Sequence, residues 1–192
     1  MRKQILLLSI TLLMISCEEV YTPRPHAFFR IDFPQKQFVP YHGECPFVFD
    51  IPYYSSISRD SSANSEPCWL NLNFPPYNAT LHLTYKPVGE GFNLLDLQTD
   101  TRRFVMGHTI KAQEIMENAI NKPEDHVHGV LYQLKGNTAT SLQFYVTDST
   151  HHYLRGALYF NENANADSIA PVLDFITEDV LQLIGSLSWK KE

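Results

Sequence analysis

The chain has 192 residues and a formal charge of −6, with 15 Lys and Arg scattered among 21 Asp and Glu. That length suffices for one domain with its own core. The acidic balance excludes a nucleic-acid binder, which needs a basic face to neutralise phosphates, and it excludes electrostatic docking on anionic lipid.

The first segment runs Arg2-Lys3, an apolar stretch from Ile5 to Ile15, then Ser16 and Cys17. Basic residues, an apolar core and a small residue before the cut make a bacterial secretion signal. A cysteine directly after the cut marks the lipoprotein variant, in which its thiol is acylated with palmitate-type chains and becomes the new first residue. The apolar stretch is too short to span a bilayer, which takes roughly 20 apolar residues. An uncleaved anchor or plain secretion is the competing reading. The expected organisation is a signal peptide over 1–16, a lipidated tether over 17–30 and a single domain over 31–192. Pro23 and Pro25 keep the tether extended. The location implied is the cell envelope, lipid-anchored and facing the periplasm, with the membrane and surface exposure left open.

Outside the cytoplasm the two other cysteines, Cys45 and Cys68, are expected to form a disulfide, reaching across one sheet. Two buried free thiols are the alternative, and no CxxC spacing supports a metal pair. Pro46 to Pro52 reads as a proline-bounded strand, and the serine-rich Ser55 to Ser65 as a surface loop. Cys68 to Phe74 and Thr80 to Tyr85 alternate apolar and polar residues on either side of Pro75-Pro76, which predicts a hairpin.

A helix is predicted over 92–106, with Leu94, Leu95, Arg102 and Val105 along one side. Residues 109–120 fit either a helix or a strand. Three strands follow, over 127–134, 141–147 and 153–160, joined by short turns into a meander. The chain closes in a helix capped by Ser168, with Pro171 in its first turn. Its apolar face runs from Val172 to Leu187, and Asp174, Glu178, Asp179 and Gln182 lie away from it. The expected class is α+β, an antiparallel sheet packed by helices as a two-layer or α/β/α sandwich. The element order is similar to the PsbP-like fold, as an analogy of architecture only.

Candidate chemistry is sparse. His126 and His128 could share a strand face near His151, His152, Glu124, Asp125 and Asp148, but no spacing matches a metal signature. Asp148, Ser149, Thr150 and His151 hold a carboxylate, a hydroxyl and an imidazole, yet no GxSxG elbow surrounds Ser149, and such residues suit a turn. Gly89-Glu90-Gly91 lacks the Lys-Ser or Lys-Thr of a phosphate loop. Neither a catalytic residue nor a metal site nor a cofactor is expected. Arg155, beside Gly156 and among aromatics, could clamp a carboxylate from a partner. An internal ion pair to Asp148 or Glu162 is the competing reading.

Three segments carry a resemblance: Tyr21-Thr22-Pro23-Arg24-Pro25-His26-Ala27-Phe28-Phe29-Arg30-Ile31, Tyr132 through Ser149 with Arg155 to Phe160, and Asn165 to Pro171. The first resembles the Y-x-P-K-P-x-x-Y-F-R-I opening of the Bacteroidetes gliding-motility lipoproteins of the GldD family. The third is similar to that family's P-N-x-D-S-x-x-P, with Ala where Pro is usual. The resemblance implies a non-enzymatic accessory lipoprotein of the gliding and type IX secretion machinery, with other envelope proteins as partners. Arg30, Arg155 and Tyr159 are the candidate partner-binding residues. The alternative is a small-ligand binder or hydrolase using Asp148, His151 and Arg155.

Overall fold

Apolar and polar residues alternate along successive segments of the chain, and these segments pair into one antiparallel sheet. The computed structural model describes residues 30–89, 91–161 and 166–190; the signal segment, Cys17 and Glu162 lie outside these. The elements run β1 (Phe38–Tyr41), β2 (Phe47–Pro52), β3 (Ser56–Arg59), β4 (Leu70–Phe74), β5 (Ala79–Pro87), α1 (Leu94–Met106), β6 (Ala112–Lys122), β7 (Val127–Gly136), β8 (Thr140–Thr147), β9 (His152–Phe160), α2 (Ala166–Ser186) and β10 (Ser188–Trp189). The large sheet has the order β3-β4-β5-β9-β8-β7-β6, and a small sheet has the order β1-β2-β10.

Because strand side chains alternate between faces, the register divides the sheet into two surfaces. Leu72, Leu81 and Leu158 line up across β4, β5 and β9, with Phe144 and Val146 of β8 on the same face. They bury against Ile176, Val180, Leu183 and Leu187 of the α2 segment and Phe47 and Phe49 of β2. The opposite face offers Tyr132, Tyr145 and Tyr153, and α1 covers these with Val105, Leu94 and Leu97. The result is an α+β sandwich with a helix on each side of the sheet. Each fully buried Leu or Phe contributes about 1.5–3 kcal/mol relative to exposure, so the larger α2-side core dominates stability.

Several expectations are corrected. The serine-rich loop contains β3, whose Ser56 to Arg59 pair with Asn73 to Leu70 at the sheet edge. The ambiguous segment is strand β6. Its Ile115 and Ala119 face Leu134 and Val130 on the α1 side, while Met116 and Ile120 take the other, so adjacent apolar pairs that mimic a helical period serve two faces. Ten-position pairing with β7 outweighs weak local propensity. Asn93 caps α1 by accepting from the Leu95 N–H. The helix buries Thr101 and Val105, and turns Leu95 and Arg102 outward. Helix α2 begins at Ala166, which places Pro171 inside it instead of in a first turn opened by Ser168.

Cys45 and Cys68 are disulfide-bonded, with Cα atoms 5.5 Å apart. They do not bridge one sheet, as the sequence reading had it. Cys45 precedes β2 of the small sheet and Cys68 precedes β4 of the large one, so the bond fastens the two sheets together.

Asp179 is the largest departure. It is 1% exposed, because the segment leading into β1 crosses that flank of α2. The Lys36 ammonium donates to Asp179 Oδ1 at 2.6 Å and to the Phe175 carbonyl at 2.5 Å, and it sits 3.4 Å above the Phe175 ring. The Tyr54 hydroxyl donates to Asp179 Oδ2. Phe33 stacks on Phe175 with ring centroids 4.3 Å apart. Burial pushes the Asp179 carboxyl up, against the downward pull of Lys36 and Tyr54.

Candidate functional site

Strand β9 lies between β5 and β8, and its odd-numbered residues face the α1 side. Arg155 therefore stands opposite Thr84 on one neighbour and Tyr145 on the other. The next residue, Gly156, faces the core, where an added Cβ would land inside the Phe144 ring. The glycine lets a bulky aromatic fill the core directly behind Arg155, and the close approach expected of it is present.

Among the described residues the Arg155 guanidinium meets neutral groups. One N–H donates to Gln143 Oε1 at 2.7 Å, and the Phe104 ring centroid lies 4.9 Å away. Arg155 is in no ion pair among the described residues. Burial pushes its pKa down, with Tyr159 and Tyr153 pulling the other way. Gln143 is 0% exposed, and neither its Nε2 nor Arg155 Nε has a hydrogen-bond partner. Two imidazoles feel this cation. His82 and His108 are lowered first by burial, and the Arg155 charge adds to the shift. His82 Nδ1 bonds Asn71 Oδ1 at 2.7 Å, and its ring meets Tyr159 edge-on at 5.5 Å.

The ion pair to Asp148 is absent because Asp148 has other work. Its Oδ1 accepts the N–H groups of Thr150, His151 and His152, and its Oδ2 accepts from the Thr150 hydroxyl. Burial opposes ionisation, but these bonds hold the carboxyl down at about 2. Ser149 takes the left-handed corner of the turn, with φ 71°. This is the turn the residue types suggest.

Asp148 and His151 line a cleft of about 690 Å³ with Glu124, Asp125, His126 and Trp189. Arg155 does not line it, so the trio Asp148, His151 and Arg155 does not converge. Nor do His126 and His128 share a strand face. His126 ends a short turn at φ 52°, and His128 bonds Asn121 Oδ1 at 2.9 Å. Among the described residues no group of His, Cys, Asp or Glu could hold a metal ion. Of the candidate partner-binding residues, Arg155 and Tyr159 share the α1-side face. Arg30 is exposed at the start of the described chain. Gln143, Phe104 and His82 were not singled out from sequence; alternation of β8 about Leu142 and Phe144 places Gln143 on Arg155's face, and that signal was available.

A profile of the family described as gliding motility lipoprotein GldD matches residues 18–189. The chain belongs to that family. Membership makes it a lipid-anchored envelope protein associated with gliding motility, and the family's description names no reaction. No helix among the described residues is long and apolar enough to cross a membrane. Comparison with curated proteins finds no match. Among solved structures the chain is similar to a cyanobacterial PsbP (CyanoP) from Synechocystis sp. PCC 6803, determined in solution. The two are 14% identical, over 91% of this chain and 97% of the other, with a TM-score of 0.49.

Proposed function

We propose that this lipoprotein is a non-enzymatic accessory component of the gliding-motility and type IX secretion machinery. It is held by lipid on Cys17, faces the periplasm and acts by binding another envelope protein. Family membership supports the setting, and Arg155 supports the docking. A half-buried cation surrounded by Gln143, Tyr159 and Phe104 is costly to keep unless something outside the fold uses it. Arginine flanked by aromatics is a common interface anchor.

The test is crosslinked recovery of partners from native membranes. Arg155→Ala is expected to lower recovery about fivefold, equivalent to about 1 kcal/mol, while thermal stability holds. Loss of stability together with recovery would make Arg155 a structural residue, and undiminished recovery from a stable variant ends the docking reading.

A further inference from the structure

We infer that Arg155 and Gln143 form a carboxylate-recognition site, and that the segment seated there carries an apolar side chain against Phe104. This rests on the docking role proposed above and specifies the chemistry the partner must present.

Two observations carry it independently. The first is charge. Arg155 is a cation whose hydrogen-bond acceptor, Gln143 Oε1, is neutral, and no carboxylate pairs with it among the described residues. A guanidinium has more N–H donors than this one acceptor occupies. The second is Gln143. It is 0% exposed, its oxygen is turned to Arg155, and its Nε2 is left without an acceptor, as is Arg155 Nε. Buried donors without acceptors each cost about 1–3 kcal/mol, so natural folds keep few of them. Here one belongs to Gln143 and the other to the guanidinium that bonds its oxygen.

The ligand's class follows from charge and shape. A planar guanidinium fork matches a planar carboxylate, one charge against one. His82 and His108 flank the site, but burial and Arg155 itself lower both, so they bring no second cation at neutral pH. A dianionic phosphate therefore lacks its counter-charge here. The chain's net charge of −6 repels a polyanion at a distance while leaving a single seated carboxylate unopposed. Phe104 is 49% exposed with its ring 4.9 Å from the guanidinium. An apolar residue next to the carboxylate would cover it.

The purified lipidated protein in neutral detergent, labelled with ¹⁵N, would be titrated with four probes: acetyl-Ala-Leu with a free C-terminus, the same peptide amidated, acetyl-Glu-amide and inorganic phosphate. The reporters are the Arg155 Nε–H and Gln143 side-chain amide signals. We expect both to shift saturably with a carboxylate probe, with the amidated peptide at least tenfold weaker, and we expect Arg155→Gln to abolish the response without lowering the melting temperature. Whether acetyl-Ala-Leu or acetyl-Glu-amide binds tighter distinguishes a C-terminal from a side-chain carboxylate. Equal saturable binding of the free and amidated Ala-Leu peptides, no saturable shift with either carboxylate probe, or tighter binding of phosphate would each overturn the inference. Its failure separates from failure of the docking role. If titration fails while crosslinked recovery still depends on Arg155, docking stands and carboxylate recognition falls. If titration succeeds while recovery is indifferent to Arg155, the reverse holds.

Discussion

At the residue scale, one half-buried and one buried carboxylate push stability in opposite directions with pH. Asp148 is depressed to about 2 by the backbone N–H groups it accepts. Its contribution is present above the ordinary carboxylate range and is lost as pH falls toward that value. Asp179 is raised, so ionising it costs stability, and Lys36 offsets that cost. Lys36→Ala leaves the buried carboxylate without its cation and with the Tyr54 hydroxyl as its remaining side-chain donor, and is expected to lose about 3 kcal/mol at neutral pH. Urea unfolding should show the deficit shrinking as pH is lowered and Asp179 takes up a proton; an equal deficit at about pH 4 and pH 7 contradicts this account. Gly156→Ala tests the contact behind Arg155. Its methyl would collide with Phe144, which is 0% exposed, and about 1–3 kcal/mol of overpacking cost should appear in the same assay.

At the element scale, the disulfide is the join most open to test. Joining Cys45 to Cys68 closes a loop with a sequence separation of 23, so reduction is expected to cost about 3 kcal/mol by the chain-entropy argument. Denaturant midpoints with and without reductant measure it, and an unchanged midpoint would show that the two sheets hold together without it. The strands of the meander and the hairpin were legible because one face of each is buried against α2 and the other is polar or covered by α1. Strand β3 was not, because an edge strand with four mostly exposed residues carries no alternation to read. Asp179 was misplaced for a related reason: helical periodicity assigns faces relative to the sheet, and it cannot show that a distant segment carrying Lys36 will cover the outer flank. Arg155 was legible as unusual from Gly156 and its aromatic neighbours. That Asp148 is not its counter-ion was not, since that depends on Asp148 being committed to a turn.

At the scale of the whole molecule, the proposed arrangement is a lipid anchor, a tether and a folded domain that presents Arg155 on one sheet face. Cys17→Ser should move the protein into the soluble fraction after carbonate washing; a variant that stays with the membrane removes lipid as the anchor. The central claim is that the domain works by binding through Arg155, and complementation of a deletion strain addresses it most directly. Arg155→Ala, expressed at the level of the unaltered chain and with unchanged melting temperature, is expected to fail to restore gliding and secretion of type IX cargo. Full restoration of both by that stable variant would contradict the claim.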